Sequence, residues 1–198
     1  MIARDELPPA EPVASRSSRV VVVGGGFAGI EVARELGRAG LPVLLLDRQN
    51  HHLFQPLLYQ VATAALSATD VAEPIRKILR KYESVQVLLG EVAEIDTTGR
   101  TLALSDGSVL GYDYLVLATG ATHSYFGHQE WAERAPGLKT IPDARRIRAR
   151  ALLAFERAER TVDPGEQRRL MTIAIVGGGP TGVELAGSLA EPSRMTLA

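Results

Sequence analysis

The chain contains no cysteine. That one absence removes disulfides, thiolate metal sites and cysteine nucleophiles, and it fits a reducing compartment. Charge of one sign is lacking too: 22 Lys and Arg stand against 23 Asp and Glu, a net charge of −1. Nothing in that balance points to nucleic acid or to an anionic membrane. No apolar run reaches the roughly 18 residues that a spanning helix needs. No serine stands in a G-x-S-x-G elbow, so hydrolase chemistry has no support. The four histidines, without cysteine, make no metal-ligand pattern. His51 and His52 are adjacent, so in an extended segment they point to opposite faces. What remains is 198 residues, 45% of them hydrophobic, enough for one sizeable domain or two small ones. Residues 1–18 hold acidic residues, three prolines and no apolar core. They read as a flexible tail rather than a secretory signal.

The pattern after residue 18 alternates between strands and helices. Residues 19–23, Arg followed by four valines, carry the β-branched signature of a strand buried on both faces. Glycines follow, then an apolar-periodic helix through Ile30, Ala33 and Leu36, with Gly40 as its stop. Residues 41–47 read as a second buried strand, which completes a βαβ unit and specifies a parallel sheet. Residues 67–82 read as a helix with Val71, Ile75, Ile78 and Leu79 on one side. "VQVLLGEVAEID", "TLALS" and "SVLGY", separated by "TTGR" and "SDGS", read as an antiparallel meander, and "DYLVLAT" as a further buried strand. Residues 123–142 read as a connection that holds Trp131, the single tryptophan, as a packing residue. Residues 143–160 are expected to be a helix with Asp143 as N-cap and its arginines on a solvated face. Residues 161–170 then read as a loop, leading to a strand over residues 171–176.

Two glycine turns carry the chemistry. In the first, Gly24, Gly26 and Gly29 form G-x-G-x-x-G between a strand and a helix. The first glycine permits the tight turn, the second lets the backbone approach a pyrophosphate, and the third lets helix pack on strand. The anion sits on the helix N-terminus, where amide groups and the dipole favour it. Asp47 follows Gly29 by 18 residues and ends the second strand, where an acid accepts from adenosine ribose hydroxyls. The second turn is Gly177, Gly179 and Gly182, with Pro180 at the favoured first helical position. The same spacing from Gly182 places its acid at position 200, beyond Ala198. Two such turns point to two dinucleotides, a resident flavin and an exchangeable nicotinamide exchanging hydride. The expected fold is α/β: two dinucleotide-binding Rossmann-like domains, the second incomplete, with an antiparallel meander in the first. Residues 19–122 would form the first, and residues 123–198 a connection and the start of the second.

"VVVVGGGFAGIEVARELG", "HHLFQPLLYQVATAALS", "YDYLVLATGATHSYFG" and "IAIVGGGPTGVELAGSLAE" together resemble the type II NADH:quinone oxidoreductases, single-subunit enzymes that carry FAD. The resemblance covers residues 19–198, and "FQPLLYQVA" is its most specific stretch. It implies that Gly24, Gly26, Phe27, Ala28, Gly29 and Asp47 hold the adenosine diphosphate half of FAD. It places Pro56, Leu57, Leu58, Tyr59 and Gln60 beside the isoalloxazine, Val92 at the adenine, and Ala118, Thr119 and Gly120 in a flavin-contacting turn. It assigns Gly177, Gly179, Pro180, Thr181 and Gly182 to the NADH pyrophosphate, and Glu184 to proton transfer on the quinone side. His51 and His52 fall in the flavin-side loop. The implied partners are NADH and a quinone, with no nucleic acid and no metal. The implied location is cytoplasmic, with a full-length form on the cytoplasmic face of the membrane and as a homodimer.

The leading reading is therefore FAD-dependent hydride transfer from NADH to a quinone, by this chain or by a longer enzyme of which it is a part. The alternative is a non-catalytic truncated form that at most binds FAD weakly, since the second unit stops within its helix. A flavin disulfide reductase would need a redox-active cysteine pair, which a chain without cysteine lacks.

Overall fold

The computed structural model describes residues 20–196. The reading of residues 1–18 as a tail lies outside that range. The chain divides into two compact units: the first takes the chain up to His52 and Pro74–Gly120, the second Leu53–Glu73 and Ala121–Ala198.

The first unit is built on a parallel sheet. β1 (Val20–Val23), β2 (Val43–Asp47), β5 (Val85–Leu89) and β9 (Tyr114–Leu117) stand in the order β5-β2-β1-β9. β1 pairs Val20 with Val43 on one side and with Tyr114 on the other. The run of four valines follows from this central position, because both faces of β1 are covered. Val22 turns to one side, where it is fully buried with Ile30 and Ala33 of α1 (Phe27–Arg38), Val43, Leu45, and Ile75 and Leu79 of α3 (Ile75–Leu79). Val21 and Val23 turn to the other side and meet Leu102. That second face is roofed by β6 (Val92–Asp96), β7 (Thr101–Leu104) and β8 (Val109–Gly111), an antiparallel sheet in that order. Helix, parallel sheet and meander make three layers, and the meander supplies the cover that a second helix layer would otherwise provide.

Local chemistry sets the element ends. α1 stops in a Schellman motif: Gly40, at φ +69°, donates its N–H to Gly37 O, and Leu41 donates to Leu36 O. The meander turns are closed by carboxylates. Asp96 Oδ1 accepts from Thr98 and Gly99 amides at 2.9 and 2.8 Å, and Asp106 Oδ1 accepts from Ser108 N at 2.9 Å.

Several expectations need correction here. "VQVLLGEVAEID" is not one strand. It breaks at Gly90, whose N–H donates to Asp47 O, so β5 joins the parallel sheet and only β6 enters the meander. β9 is not buried on both faces. It forms the sheet edge, with Tyr114 69% and Leu117 58% exposed. Residues 67–82 are not one helix. β3 (His51–Leu53) leads the chain out of the first unit, and β4 (Ala72–Pro74) leads it back. Pro74 holds no N–H and excludes its predecessor from helical geometry, so α3 begins only after it.

The second unit is a helical packing around Leu58, Val61, Ala62, Val71, Ala144, Ala151, Leu185 and Leu189. It contains a short 3-10 turn (Gln55–Leu57), α2 (Leu58–Ala62), α4 (Trp131–Arg134), α5 (Ile141–Arg160), α6 (Pro164–Met171) and α7 (Pro180–Thr196). α5 starts two residues before the expected Asp143. Thr140 is the N-cap, its hydroxyl accepting from Asp143 N at 3.2 Å while Asp143 Oδ2 accepts from Thr140 N at 2.9 Å. Asp143 is thus the third-position partner of a capping box. The expected loop at residues 161–170 is mostly α6. Asp163 caps it through Gly165 N at 2.9 Å, and Pro164 stands at its first position, where a missing N–H costs nothing. The expected strand at residues 171–176 does not form. Among the described residues no strand pairs with residues 173–176, and Val176 is 92% exposed. Trp131 is no core residue either: it is 48% exposed and stacks on His128 at 4.3 Å. The arginines of α5 lie on its exposed face, and Arg146 donates to Glu133 O at 3.0 Å.

This packing makes a stability prediction. Leu45→Ala empties a fully buried position in β2 and is expected to cost about 3 kcal/mol. Leu153→Ala, at a position 56% exposed, is expected to change stability by less than about 0.5 kcal/mol. Urea unfolding followed by circular dichroism measures both.

Candidate functional site

In a parallel α/β sheet the ligand crevice lies beyond the carboxyl ends of the strands, where the strand order reverses. Here the order runs from β1 through β2 to β5 on one side and to β9 on the other, so the reversal falls between β1 and β9. The first glycine turn sits at that point. Gly24 adopts φ +110° and donates its N–H to Leu46 O at 2.8 Å. A Cβ on residue 24 would run into the carbonyl of Ala118, and one on Gly29 into the carbonyl of Gly24. α1 starts at once, with Gly26 as an N-cap that has no side chain to offer. The first-turn amides of a helix have no intrahelical partners. Gly26, Phe27 and Ala28 are exposed, and nothing stands within 4 Å of a Cβ added at Gly26.

Asp47 closes the turn from β2. Its Oδ1 accepts from Gln49 N at 2.7 Å and its Oδ2 accepts from Gly25 N. A carboxylate has about four acceptor sites, so two remain for a ribose diol. Val92 opens β6 two residues after Gly90, whose amide is bonded to the carbonyl of Asp47. Ala118 donates its N–H to Val23 O at 2.8 Å. Thr119 and Gly120 follow it, exposed, with Gly120 at φ +71°. The structure thus brings Gly24, Gly26, Phe27, Ala28, Gly29, Asp47, Ala118, Thr119 and Gly120 to one end of one sheet. It adds His52, which the glycine spacing does not single out: Nδ1 of His52 lies 3.1 Å from Gly25 O, and Phe27 meets its ring edge-on. The sequence signal was the adjacent histidine pair, whose two members point to opposite faces of β3.

The second unit repeats the turn. Gly177 also adopts φ +110°, and a Cβ on Gly182 would run into Gly177 O just as one on Gly29 meets Gly24 O. Val183 N donates to Gly179 O at 3.1 Å, the counterpart of Ile30 N to Gly26 O at 3.0 Å. Pro180 begins α7, Thr181 is exposed beside it, and Glu184 is exposed in the second turn of that helix. Pro56, Leu57, Leu58, Tyr59 and Gln60 also stand in this unit. Leu58 is 1% exposed and so serves the helical core, leaving only its backbone for a ligand. Gln60 Nε2 donates to the Tyr59 hydroxyl at 3.0 Å. The Ser108 hydroxyl holds the Asp106 carboxyl below the usual range, and the Arg169 guanidinium holds Glu166 low. Among the described residues no cluster of His, Asp or Glu is arranged to hold a metal ion. No helix among them is long and apolar enough to cross a membrane.

A family model described as pyridine nucleotide-disulphide oxidoreductase matches residues 18–195. The chain belongs to this family. It is 48% identical over 198 residues to the type II NADH:quinone oxidoreductase Ndh of Mycobacterium tuberculosis, an alignment covering 96% of this chain and 42% of that protein. Its fold is similar to NDH2 from Plasmodium falciparum in complex with RYL-552, at 25% identity and a TM-score of 0.81, over 92% of this chain and 38% of that one. The same NDH2 in complex with NADH matches at 26% identity and a TM-score of 0.79, over 90% of this chain and 38% of that one. The chain thus spans about two fifths of the length of these relatives. The residues given hold no cysteine. The family's α/β nucleotide-binding fold is the expected one.

The turn geometry separates two glycine substitutions. Gly24→Ala meets a positive φ and the Ala118 carbonyl together, and is expected to cost about 3 kcal/mol. Gly26→Ala meets open space and changes only the N-cap residue, and is expected to cost about 1 kcal/mol or less. Thermal denaturation of the two variants checks the difference.

Proposed function

We propose that the chain supplies the FAD turn and the NADH turn of an NADH:quinone oxidoreductase. The observation that carries this reading is the duplicated backbone turn, with φ +110° at both Gly24 and Gly177 and the same close approach of Gly29 and Gly182. In this reading residues 19–122 form the FAD-binding part, and residues 123–198 a connection and the nicotinamide part. FAD fits the first turn: amides open at Gly26, space for a phosphate beside them, and an Asp47 carboxylate with two acceptor sites to spare. Bound there, FAD supplies two-electron chemistry between NADH and a quinone.

The roles follow from position. The α1 amides from Gly26 to Ala28 hold the pyrophosphate, aided by the helix dipole. Asp47 takes the ribose hydroxyls, Val92 contacts the adenine through its backbone, and residues 118–120 contact the flavin. Pro56, Leu57, Leu58, Tyr59 and Gln60 line the isoalloxazine, where a dry face favours hydride transfer. Gly177, Gly179, Pro180, Thr181 and Gly182 hold the NADH pyrophosphate. Glu184 delivers protons on the quinone side, since quinone reduction consumes two. The working enzyme acts as a homodimer on the cytoplasmic face of the membrane. A second reading, FAD binding without turnover, is favoured by the 92% exposure of Val176 and the absence of a strand partner for residues 173–176 among the described residues.

The test is direct. The purified chain is expected to carry a flavin absorbance spectrum and to reduce menadione with NADH. A flavin spectrum without activity supports the second reading, and a colourless, inactive protein overturns both. Asp47→Ala is expected to weaken FAD binding by about tenfold, read by flavin fluorescence titration.

A further inference from the structure

The turn of the first unit contains three consecutive glycines, residues 24–26. Such a stretch has the most backbone freedom to lose, yet its peptides are held from outside. The N–H of Gly25 donates to Asp47 Oδ2. The carbonyl of Gly25 faces Nδ1 of His52 at 3.1 Å. A carbonyl only accepts, so Nδ1 carries the proton. β3 fixes the backbone of His52, and the Phe27 ring meets its imidazole edge-on at a centroid separation of 4.9 Å.

The peptide unit of the Gly25 carbonyl also carries the N–H of Gly26. No described peptide bond is cis, so that C=O and that N–H point in opposite directions. Holding the carbonyl toward His52 therefore turns the Gly26 N–H away from it, at an exposed residue with open space beside it. The N–H in question is the first amide at the N-terminus of α1.

We propose that His52 is a positioning residue for the dinucleotide pyrophosphate: by donating Nδ1–H to the Gly25 carbonyl, it fixes the direction of the Gly26 N–H that receives a phosphate oxygen. The inference rests on the FAD reading of this turn. His52 and Asp47 act as a pair, one holding each side of Gly25. Together they preorganise a flexible glycine run before ligand arrives, which removes an ordering cost from binding.

Three variants test the role in the full chain. His52→Phe keeps a ring against Phe27 and removes the donor. His52→Asn restores a donor close to the Nδ1 position. His52→Gln carries its amide out toward the Nε2 position and gives the same comparison should His52→Phe not fold. Affinities for FAD, ADP and adenosine are measured by calorimetry. The expected result is a five- to tenfold loss for FAD and ADP in His52→Phe and His52→Gln, no change for adenosine, and recovery in His52→Asn. Equal ADP affinity in wild type, His52→Phe and His52→Gln overturns the positioning role alone. A parallel loss for adenosine and ADP also overturns it, because that pattern reports general damage rather than phosphate alignment. A wild-type chain that takes up neither FAD nor ADP overturns the FAD reading, and this role with it.

Discussion

Where a side chain on residue 24 would stand, the carbonyl oxygen of Ala118 already stands. That backbone-on-backbone approach is the constraint on which the site depends. It lets β9 lie beside β1 up to its last residue, with the Ala118 amide bonded to Val23 O. It forces β1 to end in a positive φ, so the chain reverses within the turn and enters α1 at once. The helix N-terminus is thereby delivered to the point where the strand order reverses. Gly29 completes the arrangement, since only a residue without Cβ lets α1 sit over the Gly24 carbonyl. The placement of the helix N-terminus is a consequence of close packing rather than of any charged side chain.

The rest of the first unit keeps that contact in place. β1 is rigid because its two faces are buried in different layers, Val22 against the helices and Val21 and Val23 against the meander. The meander lets the chain cover the second face with local antiparallel pairing and then return to the sheet edge as β9. Asp47 links structure to chemistry: it ends β2, ties down Gly25 and Gln49, and keeps acceptor capacity for a ligand. In the second unit the same turn recurs on a helical core shared by α2, α5 and α7. The positive φ recurs at Gly24 and Gly177, and open space stands beside both Gly26 and Gly179.

Much of this was legible in the sequence, for identifiable reasons. The valine run, the glycine spacing, Gly40 and the terminal Asp47 are local signals with one physical meaning each, and the parallel sheet follows from them. The errors arose where a local pattern met a long-range fact. Gly90 looked like a glycine within a strand, but it is the point at which the chain changes sheets. Apolar spacing over residues 67–82 suited a helix, and Pro74 forbade it. Asp163-Pro164-Gly165 suited a turn and a helix start equally, and the Asp163 cap decided for the helix. A parallel strand at residues 171–176 needs a neighbour to exist, which periodicity cannot report. The histidine pair at residues 51 and 52 is visible in the sequence, but the approach of His52 Nδ1 to the Gly25 carbonyl is a contact across 27 residues that no motif spacing records.

The central claim is that the chain holds two dinucleotide turns of the same construction. ADP is the half common to FAD and NADH, so its binding stoichiometry tests the claim most directly. Equilibrium dialysis of the flavin-free chain against ADP is expected to show two equivalents bound per chain, one displaced by FAD and the other by NADH. A single equivalent displaced by both dinucleotides, or none, would contradict it.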